Sequence, residues 1–132
     1  MSSRQKKRQL DFAGKFRENE TIMIKKDLFD LHAGICKTLA NPKRLEIIYA
    51  LKEGEKAAGE IVEALGIPKA NASQHLSLLR SCGVVRSRRA GVNIYYSISN
   101  PKIVSACMLM REVLMEQMDE KKTLLKKLRK PV

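Results

Sequence analysis

The sequence predicts a mostly α-helical domain that carries one small β-hairpin, with its elements in the order ααααββα. Apolar residues recur every three or four positions in the first half of the chain, and the period falls to about two after Gly83. A last helical pattern opens at Asn100. The 132 residues, 44% of them hydrophobic, suit one domain with a modest core. We expect this domain over residues 21–122, between a basic, disordered tail at 1–20 and a basic C-terminal extension at 123–132.

Apolar spacing and end signals predict the first two helices. The first helix covers about residues 22–40, where the apolar spacing is helical. The second begins after Asn41, a favourable N-cap residue that is followed by proline, and ends at Gly54. The side chains expected to face the core from this second helix are Leu45, Ile48 and Leu51.

A helix–turn–helix and a hairpin are predicted to follow. A short third helix covers residues 57–66, and the fourth helix begins at Lys69. The fourth helix is expected to bury Ala72, Leu76 and Leu79. The runs "VVRSRRA" and "VNIYYSIS" flank Ala90-Gly91, a pattern typical of a β-hairpin. The last helix is expected to fray beyond Asp119, where it becomes basic.

The fourth helix offers a slim polar face, which favours insertion into the major groove of DNA. Lysine suits the acceptors of guanine, and glutamine and asparagine can bond adenine with two hydrogen bonds. The predicted groove-facing residues are Lys69, Asn71, Ser73, Gln74 and Ser77. His75 lies at the side of this face, where it would either touch a phosphate or pack.

The hairpin is predicted to act as a wing beside the groove. Arg86, Arg88 and Arg89 would contact phosphates or reach the minor groove, together with Asn93 of the returning strand. The chain has 26 Lys and Arg against 14 Asp and Glu, and this net charge of +12 favours a polyanionic partner. Together with the polar-faced helix and the arginine hairpin, this charge predicts double-stranded DNA as the partner. No stretch approaches the ~20 apolar residues of a membrane span, so we expect no membrane partner.

In this order, the segments resemble the ArsR/SmtB family of winged helix–turn–helix repressors. The resemblance covers about residues 39–99 and rests on "LANPKRLEII", "ASQHLSLLRSCGVV" and "GVNIYYSIS". It implies a homodimer that forms through the first and last helices. It also implies a repressor that an inducer releases from an inverted-repeat operator. A winged-helix module that acts through protein–protein contacts, without an inducer site, is the alternative.

The sequence predicts no enzyme, because no nucleophile–base pair and no phosphate-binding glycine loop is recognisable. Three widely separated cysteines make an odd number and no disulfide framework, which is typical of the reducing cytoplasm. We therefore expect a cytoplasmic protein.

The resemblance also implies a sensor, whose position varies within the family. The start of the third helix, "KAAGE", has no thiol or imidazole, and the last helix has no histidine, so two common metal sites of the family are absent. The remaining candidates are Cys36, Cys107 and His32. His32 and Cys36 are four residues apart and share one helix face.

Three interpretations of these candidates stay open. If the first and last helices pack together, as the resemblance implies, Cys107 comes near Cys36, and the pair could form a redox or sulfur switch. With His32 added, the same thiols would suit zinc or another thiophilic metal ion. Alternatively, the cysteines are packing residues, since buried cysteine often serves as a small hydrophobe.

Overall fold

A computed structural model of the chain describes residues 18–129, and the side chains of residues 27–129. These residues form five helices and three strands: α1 (Glu18–Leu39), α2 (Pro42–Leu51), β1 (Lys56–Ala57), α3 (Ala58–Leu65), α4 (Lys69–Ser81), β2 (Val85–Ala90), β3 (Asn93–Ile98) and α5 (Pro101–Arg129). The predicted order is confirmed, with the two-residue strand β1 as an addition. The chain divides into two units after Thr38, and α2 to α5 belong to the second. The tail predicted over 1–20 lies outside the described residues, except that α1 begins at Glu18.

The start of α2 follows the predicted cap. The side-chain oxygen of Asn41 accepts hydrogen bonds from the backbone N–H groups of Lys43, at 2.9 Å, and of Arg44, at 3.2 Å. These bonds satisfy two donors that have no partner within the helix. Pro42 takes the first helical position, where its missing N–H costs nothing.

The core-facing side of α2 differs from the prediction at one position. Ile48 and Leu51 are buried as expected, but Leu45 is 43% exposed and Ile47 is fully buried in its place. At about 100° per residue, Leu45 lies roughly a third of a turn from the centre of the side that Ile47, Ile48 and Leu51 form. The expectation for Leu45 was wrong because the helix is oriented with Ile47, and not Leu45, toward the core.

The core of the second unit lies between α2, α3, α4 and the start of β2. Its buried hydrophobic residues are Ile47, Ile48, Leu51, Ile61, Leu65, Ala72, Leu76, Leu79, Val84 and Val85. The three predicted inward positions of α4, Ala72, Leu76 and Leu79, are confirmed, each being at most 2% exposed. Because one face of α4 is fixed against the core, its opposite face points outward.

The strands form an antiparallel sheet in the order β1-β3-β2. β2 and β3 make the predicted hairpin, in which Arg88 pairs with Tyr95 and Ala90 pairs with Asn93. Gly91 begins the turn with φ of 63°, in the left-handed region that favours glycine. β1 adds a third strand, in which Ala57 pairs with Tyr95. This row of three neighbours, Ala57, Tyr95 and Arg88, crosses the whole sheet.

α5 is a continuous helix of 29 residues. The expected fraying beyond Asp119 was wrong, since the helix continues to Arg129. The segment "KKTLLKKLRK" consists almost entirely of lysine, leucine and arginine, which are strong helix formers. No residue of α5 is buried in the single chain. Within residues 18–129, no helix has both the length and the apolar character needed to cross a bilayer.

Candidate nucleic-acid interface

The outward face of α4 carries most of the predicted groove-facing residues, and all five are exposed. The exposed members of the set are Lys69, Asn71, Ser73, Gln74 and Ser77. At about 100° per residue, Gln74 lies close to the centre of the outward face, and Asn71 and Ser73 flank it on either side. Leu78 is also on this face and is half exposed, a position that the sequence analysis did not include. Asn71, Gln74 and Ser77 thus lie on the side of α4 opposite the core. Ser73 lies at the edge of that side, and Lys69, the first residue of the helix, is exposed nearer the core-facing side.

His75 stands apart from this set. Its side chain is half-buried, and its Nδ1 accepts a hydrogen bond at 3.2 Å from Nε of Arg44 on α2. Because Nδ1 accepts this bond, the proton of the neutral ring belongs on Nε2. His75 therefore links α4 to α2, which is the packing role that the sequence left open beside a phosphate contact. Arg44 was not predicted as a partner of His75, because it lies 31 residues away and carries no local signal.

The wing arginines are divided between the two faces of the hairpin. Side chains alternate along a strand, and paired residues of neighbouring strands share a face. Arg86 and Arg88 therefore lie on one face with Tyr95, the partner of Arg88. Asn93, paired with Ala90 near the turn, shares that face, whereas Arg89 lies on the other. The sequence prediction treated these arginines as one set, because it did not include the register.

Arg88 is held by two neighbours. Its Nε donates to Oε2 of Glu55 at 2.8 Å, and one of its terminal nitrogens donates to Oε1 at 2.6 Å. Its guanidinium lies over the ring of Tyr95, 4.5 Å from the centroid. These hydrogen bonds hold the pKa of the Glu55 carboxyl below its usual value, and they raise the pKa of Arg88. Partial desolvation opposes both shifts without reversing either.

The other wing arginines are differently placed. Arg86 and Arg89 are exposed, and neither forms an ion pair with any residue between 27 and 129. Arg80, at the end of α4, donates to Oγ of Ser87 at 3.4 Å and so links the helix to the hairpin. The wing therefore presents two arginines without an ion-pair partner among residues 27–129 and one arginine that is already bound to a carboxylate.

The candidate sensor residues lie on two helices. His32 and Cys36 are exposed on α1, one helical turn apart, and Cys107 is half-buried on α5. The three cysteines of the chain form no disulfide in this structure. In the described part of the chain, no three His, Cys, Asp or Glu side chains come together as ligands for a metal ion.

The fold and this surface define a class of protein. In the helix–turn–helix formed by α3 and α4, one face of α4 packs on the core and the other is polar and exposed, and a basic hairpin follows directly. This is the winged helix–turn–helix arrangement of DNA-binding regulators. Residues 41–87, from the cap of α2 into β2, match the family described as bacterial regulatory protein, arsR family. This segment contains the whole helix–turn–helix.

Individual relatives agree with the family match. The chain is 36% identical over 108 residues to the uncharacterised HTH-type transcriptional regulator Rv0081 of Mycobacterium tuberculosis, a match that covers 81% of this chain and 95% of the relative. The crystal structure of Rv0081 gives a TM-score of 0.65 at 37% identity, covering 71% of this chain and 95% of that chain. The chain therefore belongs to the ArsR/SmtB family of winged helix–turn–helix repressors, as the resemblance in the sequence implied.

Two further relatives bear on assembly and signal. The solution structure of Mb0332 from Mycobacterium bovis is described as a homodimeric winged helix–turn–helix DNA-binding domain of a possible ArsR-family regulator. It gives a TM-score of 0.67 at 35% identity, covering 73% of this chain and 89% of that chain. A probable mercury resistance operon repressor of Streptomyces lividans is 38% identical over 82 residues, or 62% of this chain and 66% of the relative.

Proposed function

We propose that the protein is a homodimeric repressor that binds an inverted-repeat operator in double-stranded DNA and leaves it when an inducer acts. The observation that carries the proposal is the polar face of α4, which is exposed directly opposite the buried Ala72, Leu76 and Leu79. A helix held in this way can enter the major groove without losing its contacts to the core. The net charge of +12 supports a polyanionic partner.

Each part of the interface has a different task in this proposal. Lys69, Asn71 and Gln74 read base edges, and the small Ser73 and Ser77 let the helix approach closely. The wing residues Arg86, Arg88, Arg89 and Asn93 contact the phosphate backbone on either face of the hairpin. The Nε2–H of His75 is a further phosphate donor at the edge of α4.

We place the dimer interface on α1 and α5. Both helices expose large apolar side chains in the single chain: Leu28, Phe29 and Leu31 on α1, and Leu109, Met110, Val113, Leu114, Met115 and Met118 on α5. Burial of such side chains against a second copy is favourable. The stabilisation matters most for a small domain, because a small domain buries a smaller fraction of its surface on folding. The relative Mb0332 is described as homodimeric, which supports a homodimer. Two copies of α4 related by a two-fold axis would read an inverted repeat.

The inducer in this proposal acts on thiols. Cys36 and Cys107 are the reacting groups, and either an oxidant or sulfur donor, or a thiophilic metal such as zinc bound with His32, is the signal. The name of the Streptomyces relative, a mercury resistance operon repressor, favours a thiophilic metal. As a regulator of DNA, and not an enzyme, the protein would work in the cytoplasm.

The test is a fluorescence anisotropy titration of the reduced protein into a duplex that carries its own promoter region. The titration is repeated with zinc, and with a mild oxidant or polysulfide. Cys36→Ser and Cys107→Ser test the proposed thiols, and Cys82→Ser is the matched control, because Cys82 lies at the end of α4. Release by one treatment, abolished by either test variant and kept by the control, is the expected result.

Two results would contradict parts of the proposal. If DNA stays bound under every treatment, the inducer does not act through these thiols. If no duplex binds at about 50 mM salt, where backbone contacts are strongest, the protein is not a DNA-binding repressor and a protein-binding role becomes the better hypothesis.

A further inference from the structure

We infer that Glu55 is an internal competitor of the DNA backbone: its carboxylate occupies Arg88 in the DNA-free protein and must be displaced before Arg88 can bind phosphate. The inference rests on the proposed DNA-binding function. As a consequence, Glu55 lowers the affinity of the protein for DNA whatever the DNA sequence, and α4 determines the specificity for one sequence over another.

The fold places Glu55 within reach of the wing. Glu55 directly precedes β1, which pairs with β3, so the loop after α2 ends at the edge of the sheet. Ala57, Tyr95 and Arg88 form one row across the three strands. The Arg88 side chain runs along this row, lies over the Tyr95 ring and meets the carboxylate beyond it.

The chemistry of the contact is that of a phosphate contact. A guanidinium binds a carboxylate or a phosphate in the same way, with two parallel N–H···O bonds. Here the two carboxylate oxygens of Glu55 accept hydrogen bonds from Nε and one terminal nitrogen of Arg88, at 2.8 and 2.6 Å. While the pair is formed, the positive charge of Arg88 is balanced, so the guanidinium attracts a phosphate only weakly and contributes little to the release of counterions from DNA.

Arg86 provides an internal comparison. It lies two residues earlier on the same face of β2, is exposed, and has no carboxylate partner among the residues whose side chains are described. Two arginines of one strand face are thus in different states, one ready for a phosphate and one already occupied. The side chains of the pair are 57% exposed for Arg88 and 34% for Glu55, so DNA can approach both. Exchange of the carboxylate for a phosphate therefore needs no change in the core.

The test compares the DNA affinities of four variants with that of the full-length wild-type protein. Glu55→Gln removes the charge of the competitor. Glu53→Gln is the matched control, because Glu53 is an exposed acid of the same loop without an ion pair to a described residue. Arg88→Ala and the double variant with Glu55→Gln show whether the effect passes through Arg88. Each is titrated into the promoter duplex and into an unrelated duplex, and thermal unfolding checks that each is folded.

We expect Glu55→Gln to tighten binding to both duplexes by about two- to fivefold for each protomer bound, the range of exposed ion pairs. Glu53→Gln should give less than half of this gain. In the Arg88→Ala background, Glu55→Gln should add no more than Glu53→Gln does in the wild type.

Three results would overturn the inference. Unchanged binding by Glu55→Gln would mean that the Glu55 carboxylate does not compete with DNA, and weaker binding would mean that Glu55 positions Arg88 for DNA. An equal gain from Glu53→Gln would reduce the effect to net charge, and a gain that survives Arg88→Ala would exclude the competition. In all three cases the wild type still binds DNA, whereas a wild type that binds neither duplex would refute the proposed function itself.

Discussion

Arg86 offers the clearest test of the wing as a backbone-binding element. It is exposed and has no ion-pair partner among residues 27–129, so replacing it with alanine should remove the proposed phosphate contact and leave no carboxylate among these residues unpaired. Each phosphate contact contributes about 0.9 to the slope of log affinity against log salt, so two lost contacts per dimer lower the slope by about 1.8. Between 50 and 200 mM salt, the wild type should therefore lose roughly 12-fold more affinity than Arg86→Ala.

The assay is anisotropy at four or five salt concentrations on the promoter duplex. Lys127→Ala, which removes one charge from the end of α5, is the control and should leave the slope within error of the wild type. An Arg86→Ala protein that binds with the wild-type slope would refute the assignment of this wing face to the backbone, whatever its absolute affinity.

The remaining predictions concern stability and titration. Leu79→Ala should lower the free energy of unfolding by about 2–5 kcal/mol in a denaturant titration, because it opens a cavity at a fully buried position. Asn41→Ala should cost about 0.5–2 kcal/mol through the lost cap of α2, measured in the same way. The Glu55 carboxyl should titrate, by carbon NMR, below the usual range of a glutamate, and it should return to that range in Arg88→Ala. The pKa of Glu55 is lower in the folded protein than in the unfolded chain. The ion pair therefore stabilises the wing fully at pH values above the pKa that Glu55 has in the unfolded chain, and this stabilisation is lost as the pH falls through the pKa that Glu55 has in the folded protein.

The features that sequence reasoning predicted correctly are those with a local signal. Ala72, Leu76 and Leu79 follow the helical period, and Asn41-Pro42 is a start signal, so both were correct. The class of protein also followed, because helix, turn and hairpin motifs appear in order. The prediction for the inward face of α2 was wrong at Leu45, because adjacent apolar residues in this helix make the helical period ambiguous.

The details of the site depend on contacts that are distant in sequence. β1 has only two residues and therefore no period that could reveal it. Glu55 and Arg88 are 33 residues apart, and they meet only because β1 pairs with β3. The division of the wing arginines between two faces needs the register of β2 and β3, which the composition of the hairpin does not determine. The orientation of α4 was thus predictable from the sequence, whereas the ion pair of Arg88 and the distribution of the wing arginines over the two faces were not.

The central claim is that the outward face of α4 reads DNA bases, and Gln74 lies close to the centre of that face. The most direct measurement compares the wild type with Gln74→Ala on a set of operator duplexes in which each base pair is replaced in turn. We predict that the variant loses about 1–3 kcal/mol of discrimination at one base pair in each half-site, with unchanged affinity for an unrelated duplex. A Gln74→Ala protein that keeps the full preference of the wild type at every position would contradict the claim.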